Sequence, residues 1–103
     1  MIQTTEKNFD ELLSAEKPLM IDFSAEWCGQ CKALAPMVAE LVETHKEQAV
    51  IVAYDVEENN DIAVGYSIQS IPTVIFFKGG KEVGGQIGAI AKSVLEEKLK
   101  VLL

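Results

Sequence analysis

The sequence has little cysteine, little positive charge and no arginine. Its 103 residues include two cysteines, one histidine and one tryptophan. Two cysteines are too few for the disulfide framework of a small secreted protein. A chain of this length can bury an apolar core without such cross-links. We therefore expect a single domain over residues 1–103.

Acidic residues exceed basic ones, with sixteen acidic residues and nine lysines, so the net charge is −7. This excess of negative charge opposes binding to nucleic acids and to anionic lipids, both of which carry negative phosphates. The expected partners are therefore proteins, or molecules that are neutral to basic.

Long apolar runs are also missing. No run approaches the ~20 residues that a membrane-crossing helix needs. The first six residues, MIQTTE, lack the basic segment and apolar stretch of an export signal. The sequence thus predicts no membrane partner, and it favours a reducing cytoplasm as the location.

What is present is an alternation of strand-like and helix-like patterns. Residues 19–23, 50–54 and 73–77 are short, nearly continuous apolar segments, as expected of strands covered on both faces. Between the first two, apolar residues recur at helical spacing from Leu34 to Val42, which predicts a helix that packs on the sheet.

Turn glycines, a capping asparagine and further apolar residues predict the remaining elements. Gly79 and Gly80 predict a hairpin turn between the third of these strands and a fourth over residues 81–87. Asn8 is placed to cap a short first helix, a second short helix is expected around residues 62–66, and residues 94–102 predict a carboxy-terminal helix. The chain is thus of the α/β class, in the order β-α-β-α-β-α-β-β-α, in which one further strand precedes the first helix.

Both cysteines lie at a predicted strand-to-helix turn, in the segment Trp27-Cys28-Gly29-Gln30-Cys31-Lys32. The first turn of a helix has unpaired backbone N–H groups and the positive end of the helix dipole. Both favour the thiolate, which is the form of cysteine that attacks a disulfide. With two residues between them, the second sulfur can return to the first. This placement indicates a dithiol redox site.

The cysteine pair has two alternative interpretations. A purely structural disulfide here would close a very small loop and would constrain the unfolded chain little. A zinc site needs about four ligands, whereas the chain offers two thiols and a distant His45. His45 continues the apolar stripe of the predicted helix, which favours a place at the edge of the core or in solvent over a catalytic role.

The chain resembles the thioredoxin family over almost its whole length. The resemblance rests on landmarks that occur in order: Asp22 within the preceding strand, the segment at residues 27–32, Pro36 in the long helix, Ile71-Pro72-Thr73, and the later Gly80 and Gly88. It implies a central five-stranded mixed sheet of strand order 1-3-2-4-5 flanked by four helices. The first three strands would be parallel, and the last two would form an antiparallel hairpin.

The resemblance also implies a general protein disulfide reductase. Cys28, at the exposed start of the helix, would attack a target disulfide, and Cys31 would resolve the resulting mixed disulfide. Asp22 would accept the Cys31 proton, since burial brings the pKa of a carboxyl group nearer to neutral pH.

The family further implies a surface that contacts the target protein. The bond between Ile71 and Pro72 would be cis, which turns the Ile71 backbone outward to pair with an extended target segment. The other residues expected to contact the target surround the reactive sulfur; they are Trp27, Gly29, Gln30, Ile68, Gly88 and Ala89.

The implied partners are disulfide-containing target proteins and an electron donor of the thioredoxin-reductase type. A monomer without bound cofactor or metal is expected. Two alternatives stay open at this point. One is a disulfide oxidant or isomerase, which differs in redox potential. The other is a binding module that uses the Trp27 and Ile71 surface as a scaffold.

Three departures from the commonest family pattern bear on the chemistry. Gln30 stands where proline is usual, which adds a backbone N–H close to Cys28, and we expect it to stabilise the thiolate. Ala53 stands where many relatives carry a lysine near the buried aspartate, which predicts a higher pKa for Asp22. Ser24 replaces a frequent second tryptophan.

Overall fold

A computed structural model describes residues 2–3, 6–14, 16–57, 61–88 and 91–103. These residues form nine elements, listed here in chain order: β1 (Ile2–Gln3), α1 (Glu6–Leu13), β2 (Leu19–Ser24), α2 (Gly29–His45), β3 (Val50–Asp55), α3 (Asp61–Gly65), β4 (Thr73–Lys78), β5 (Lys81–Ile87) and α4 (Lys92–Lys100).

The strands form one mixed sheet in the order β1-β3-β2-β4-β5. β3 pairs in parallel with both β1 and β2, whereas β4 is antiparallel to both β2 and β5. This arrangement confirms the strand order and directions that the family resemblance implied. Gly79 and Gly80 have φ values of 62° and 80°, so the predicted hairpin turn uses the left-handed backbone that glycine adopts without strain.

Two apolar cores cover the two faces of the sheet. Alternate residues of β2 divide between them: Leu19, Ile21 and Phe23 pack with residues of α1 and α3, while Met20 packs with residues of α2 and α4. Because side chains alternate along a strand, Asp22 lies on the same face as Met20. Its carboxyl group therefore lies on the α2 face of the sheet.

One helix boundary differs from the prediction. α1 begins at Glu6, so Asn8 lies inside the helix and the predicted cap at Asn8 is wrong. Residues 58–60 lie outside the described residues, and α3 begins at Asp61. Within the described ranges, no helix combines the length and the apolar character that a membrane crossing requires.

Three strand ends meet at one edge of the sheet. Phe23, near the carboxyl end of β2, pairs with Thr73 at the start of β4. Thr73 in turn pairs with Ile87 at the end of β5. The loop after β2 leads directly into α2, so the amino terminus of α2 lies at this edge.

Candidate functional site

Cys28 and Cys31 are joined by a disulfide at the amino terminus of α2, with their Cα atoms 5.2 Å apart. Cys28 is the N-cap residue, with an extended backbone at φ −83° and ψ 114°. The backbone N–H of Cys31 donates to Cys28 Sγ at 3.1 Å. This N–H would otherwise have no partner within the helix, and it favours negative charge on the Cys28 sulfur.

Exposure of the two cysteines differs from the sequence-based expectation. Cys28 was expected to be exposed, yet only 7% of its surface is accessible, against 4% for Cys31. Cys28 is covered because its sulfur is bonded to Cys31 and lies 3.9 Å from the carbonyl oxygen of Ile71. In the disulfide form, both sulfurs are thus largely shielded from solvent.

Asp22 is a buried carboxyl group with one unsatisfied oxygen. Only 2% of its surface is exposed, and its Oδ1 has no hydrogen-bond partner among the described residues. Burial raises the pKa of Asp22 from 3.8 to about 6, because desolvation disfavours the charged form. Asp22 can therefore hold or release a proton near neutral pH.

The segment before β4 places backbone groups beside the disulfide. The bond between Ile71 and Pro72 is cis, as the resemblance implied. Ile71 is half-buried and Pro72 is buried. The N–H of Gly88 donates to the Pro72 carbonyl at 2.7 Å, which brings the end of β5 against this segment. Gly88 has a φ of 86°, a backbone conformation that favours glycine.

Trp27 is the most prominent apolar side chain next to the disulfide, with 66% of its surface exposed. Its indole N–H donates to the Glu57 carboxylate. Glu57 is itself fixed, since its backbone N–H donates to Asp55 Oδ1 at 2.8 Å. The sequence analysis did not identify Glu57, because residues thirty positions apart are brought together only by the fold.

The remaining residues expected to contact the target differ in exposure, and one of them is not described. Gly29 and Gln30 are exposed in the first turn of α2, and Ile68 is half-buried against the core. Ala89 lies outside the described residues. None of the hydrogen bonds resolved for the described residues joins the Gln30 side chain to Cys28, so its predicted effect on the thiolate stays a prediction.

His45 lies at the far end of α2 and is buried, which agrees with the expected place in the core and not with the solvated alternative. Its Nε2 is 2.9 Å from Glu96 Oε2 on α4, and its Nδ1 is 3.3 Å from Gln48 Oε1. The contact with Glu96 ties α2 to α4. Across the described ranges, no group of three or more His, Cys, Asp or Glu side chains is placed to bind a metal ion.

Comparisons with known proteins agree with this geometry. The model of the Thioredoxin family matches residues 1–101. The chain is 44% identical over 97 residues to a thioredoxin of Mycoplasmoides gallisepticum, covering 94% of this chain and 96% of that protein. It is 40% identical over 98 residues to a thioredoxin of Chlorobaculum thiosulfatiphilum, covering 94% and 91% of the two chains.

A solved structure extends the likeness to three dimensions. It comes from a study of the thiol resolving mechanism in yeast mitochondrial 1-Cys peroxiredoxin via glutathione/thioredoxin systems. The TM-score is 0.90 at 32% identity, and the match covers 99% of this chain and 95% of the other. With the Cys28–Cys31 pair at the helix terminus and Trp27 beside it, this chain belongs to the thioredoxin family and is a thiol–disulfide oxidoreductase of the disulfide reductase type.

Proposed function

We propose that Cys28 is the attacking cysteine and Cys31 the resolving cysteine. The observation that carries this assignment is the hydrogen bond from the Cys31 N–H to Cys28 Sγ at 3.1 Å. It stabilises a thiolate at position 28, whereas Cys31 lies one turn further into the helix and is the more buried of the two. Cys28 also adjoins the Ile71 backbone, where a target segment can pair.

The reaction then proceeds in two exchanges. The Cys28 thiolate attacks one sulfur of the target disulfide, which forms a Cys28–target disulfide and releases the other target sulfur as a thiolate. Cys31 loses its proton, and its thiolate attacks the Cys28 sulfur, which releases the second target thiolate. The target gains two electrons and the protein is left as the Cys28–Cys31 disulfide.

Asp22 is proposed to accept the Cys31 proton, directly or through a water molecule. Its carboxyl group lies on the α2 face of the sheet, and α2 is the helix that contains Cys31. Its pKa of about 6 keeps it mainly ionised at neutral pH while leaving it basic enough to take a proton. Desolvation thus gives Asp22 the property that the second exchange needs.

Recognition of the target is proposed to use Trp27, Ile68, Ile71, Pro72 and Gly88, next to the exposed Gly29 and Gln30. The Ile71 carbonyl lies beside the reactive sulfur, so an extended target strand that pairs there is held close to Cys28. A reductase of the thioredoxin-reductase type would return the two electrons. The cytoplasm is the proposed location, because a disulfide reductase works where thiols are kept reduced. A monomer suffices, since both cysteines and Asp22 lie on one chain.

Trapping tests the order of attack. The Cys31→Ser variant, incubated with insulin, is expected to accumulate a mixed disulfide with insulin through Cys28, because resolution is blocked. The Cys28→Ser variant is expected to accumulate none and to lose turnover with dithiothreitol. If Cys28→Ser trapped insulin and Cys31→Ser did not, the two roles would be reversed. If insulin reduction survived in the double variant, the redox assignment itself would fail.

A further inference from the structure

A groove of about 310 Å³ runs beside the expected target-contact segment. Residues 66–70 line one side, and Thr73 and Ile75 of β4 lie between them and the other side. That other side is formed by four residues of β5: Glu82, Gly85, Gln86 and Ile87. We call it the β5 groove. It is adjacent to the site, because residue 70 precedes Ile71, whose carbonyl lies 3.9 Å from Cys28 Sγ.

A glycine leaves the space in which this groove lies. Gly85 pairs with Ile75 across the β4–β5 ladder, so no side chain of β5 covers Ile75 at this position. A Cβ atom at Gly85 would lie only 3.2 Å from the Val74 carbonyl oxygen. Half-buried Tyr66 and Ile68 pack against the same core from the facing side. The groove therefore has an apolar floor.

The β5 groove has a defined direction along the strand. Ile87 lines it at the active-site edge, where this residue pairs with Thr73. Glu82 lines it at the other end, where it pairs with Phe77. The β4 partners of these two residues, Thr73 and Phe77, are four residue steps apart, which corresponds to about 13 Å. An extended segment of about five residues spans that distance.

The far end of the groove carries negative charge. Glu82 is exposed and takes part in none of the ion pairs found among the described residues, and no lysine lines the groove. Burial raises the pKa of Tyr66, and the charges of Glu82 and Asp10 raise it further. The environment of Tyr66 at this end of the groove is therefore acidic. Lys81, next to Glu82 in β5, has its side chain on the opposite face of the sheet.

We propose that the β5 groove binds the extended segment flanking the reacting cysteine of a target protein, and that it selects a lysine or arginine whose charged group reaches Glu82. The aliphatic stem of such a residue fits over Gly85 and Ile75, and its cationic end meets the unpaired carboxylate. This inference rests on the proposed function, in which the target pairs beside Ile71. It adds a preference for a basic residue about five positions from the attacked cysteine.

The test uses extended peptides with one cysteine, held as a mixed disulfide with thionitrobenzoate. A single lysine or its uncharged analogue norleucine is placed three to seven positions from the cysteine, on either side. Release of the coloured thiol by the reduced protein gives the rate constant. We expect lysine to raise the rate about two- to fivefold at one position only, as one surface ion pair would.

Variants of the groove carry matched controls. Glu82→Gln is expected to abolish the lysine preference, and Glu82→Lys to transfer it to a glutamate-bearing peptide. Glu47→Gln makes the same change in net charge in the turn after α2, where the residue does not line the groove, and should keep the preference. A lysine effect equal at every position, or one that persists in Glu82→Gln, would overturn the proposal.

Failure of the underlying function has a different signature. The norleucine peptides lack the charge that the groove is proposed to select, so their reduction reports on the cysteines alone. If the wild-type protein reduced them no faster than the Cys28→Ser, Cys31→Ser double variant, the proposed function would fail. If the norleucine peptides were reduced well, and lysine raised the rate at no position, only the groove proposal would fail.

Discussion

Asp22 and Ala53 are register partners on adjacent parallel strands, and both side chains lie on the α2 face of the sheet. Ile51, two residues before Ala53, packs in the same core as Met20, two residues before Asp22, which fixes this shared orientation. A methyl group, and no cation, thus stands beside the buried carboxyl. The consequence is an aspartate whose pKa is set by desolvation alone.

Introducing the missing cation should lower the pKa of Asp22. In Ala53→Lys, an ammonium group next to the carboxylate favours its charged form, so the pKa is expected to fall below the value of about 6 in the wild type. Titration of the Asp22 carboxyl carbon by NMR measures this change. Ala53→Met is the control for side-chain length without charge. If the pKa of Asp22 did not fall in Ala53→Lys, or fell equally in Ala53→Met, the explanation would be contradicted.

Removing the Asp22 charge should stabilise the oxidised protein at alkaline pH. The folded-state pKa is raised, so the contribution of Asp22 to stability is fully present below 3.8 and is lost as pH rises through about 6. A shift of this size corresponds to about 3 kcal/mol. We expect Asp22→Asn to raise the free energy of unfolding by up to that amount at about pH 8 and to change it little at about pH 3.

Two measurements separate this stability effect from the proposed role of Asp22 in proton transfer. Denaturant unfolding of the oxidised forms gives the stability difference. Rapid-quench detection of the mixed disulfide gives the rate of its resolution, which should be slower in Asp22→Asn because an amide cannot accept the Cys31 proton. Unchanged resolution would remove Asp22 from the mechanism while leaving the stability prediction intact.

The sequence predicted the elements well and their long-range polar contacts poorly. The strands, the glycine hairpin and the cysteine pair depend on local pattern and turn chemistry, which a single sequence displays. The contacts of Trp27 with Glu57 and of His45 with Glu96 join residues 30 and 51 positions apart, so only the folded sheet and helix packing create them. The shielding of Cys28 likewise depends on Ile71, 43 positions away.

The His45–Glu96 contact should make the packing of α4 on α2 sensitive to acid. The hydrogen bond from His45, helped by the charges of Lys100 and Lys92, lowers the pKa of Glu96. A lowered folded-state pKa gives stability that is present above the ordinary carboxyl range and is lost as pH falls through the lowered value. Glu96→Gln should therefore be less stable than the wild type at neutral pH, with a difference that shrinks in acid.

Unfolding by denaturant across an acidic pH series measures this difference. Glu97→Gln, at the neighbouring exposed position of α4, makes the same charge change without the histidine contact. It should show no such pH dependence. A difference between Glu96→Gln and the wild type that stayed constant at every pH would contradict this prediction.

Gln30, the second of the two residues between the cysteines, should tune the redox potential of the pair. In Gln30→Pro, the backbone N–H at position 30 is lost from the first turn of α2, two residues after Cys28. A less stabilised thiolate favours the disulfide, so the reduction potential is expected to become more negative by ~30 mV, equivalent to ~1.4 kcal/mol. Equilibration with glutathione measures it. Gln30→Ala is the control, because it keeps the N–H and removes only the amide side chain. A shift of the potential in Gln30→Pro but not in Gln30→Ala assigns the effect to the backbone N–H. An unchanged or less negative potential in Gln30→Pro rules the effect out.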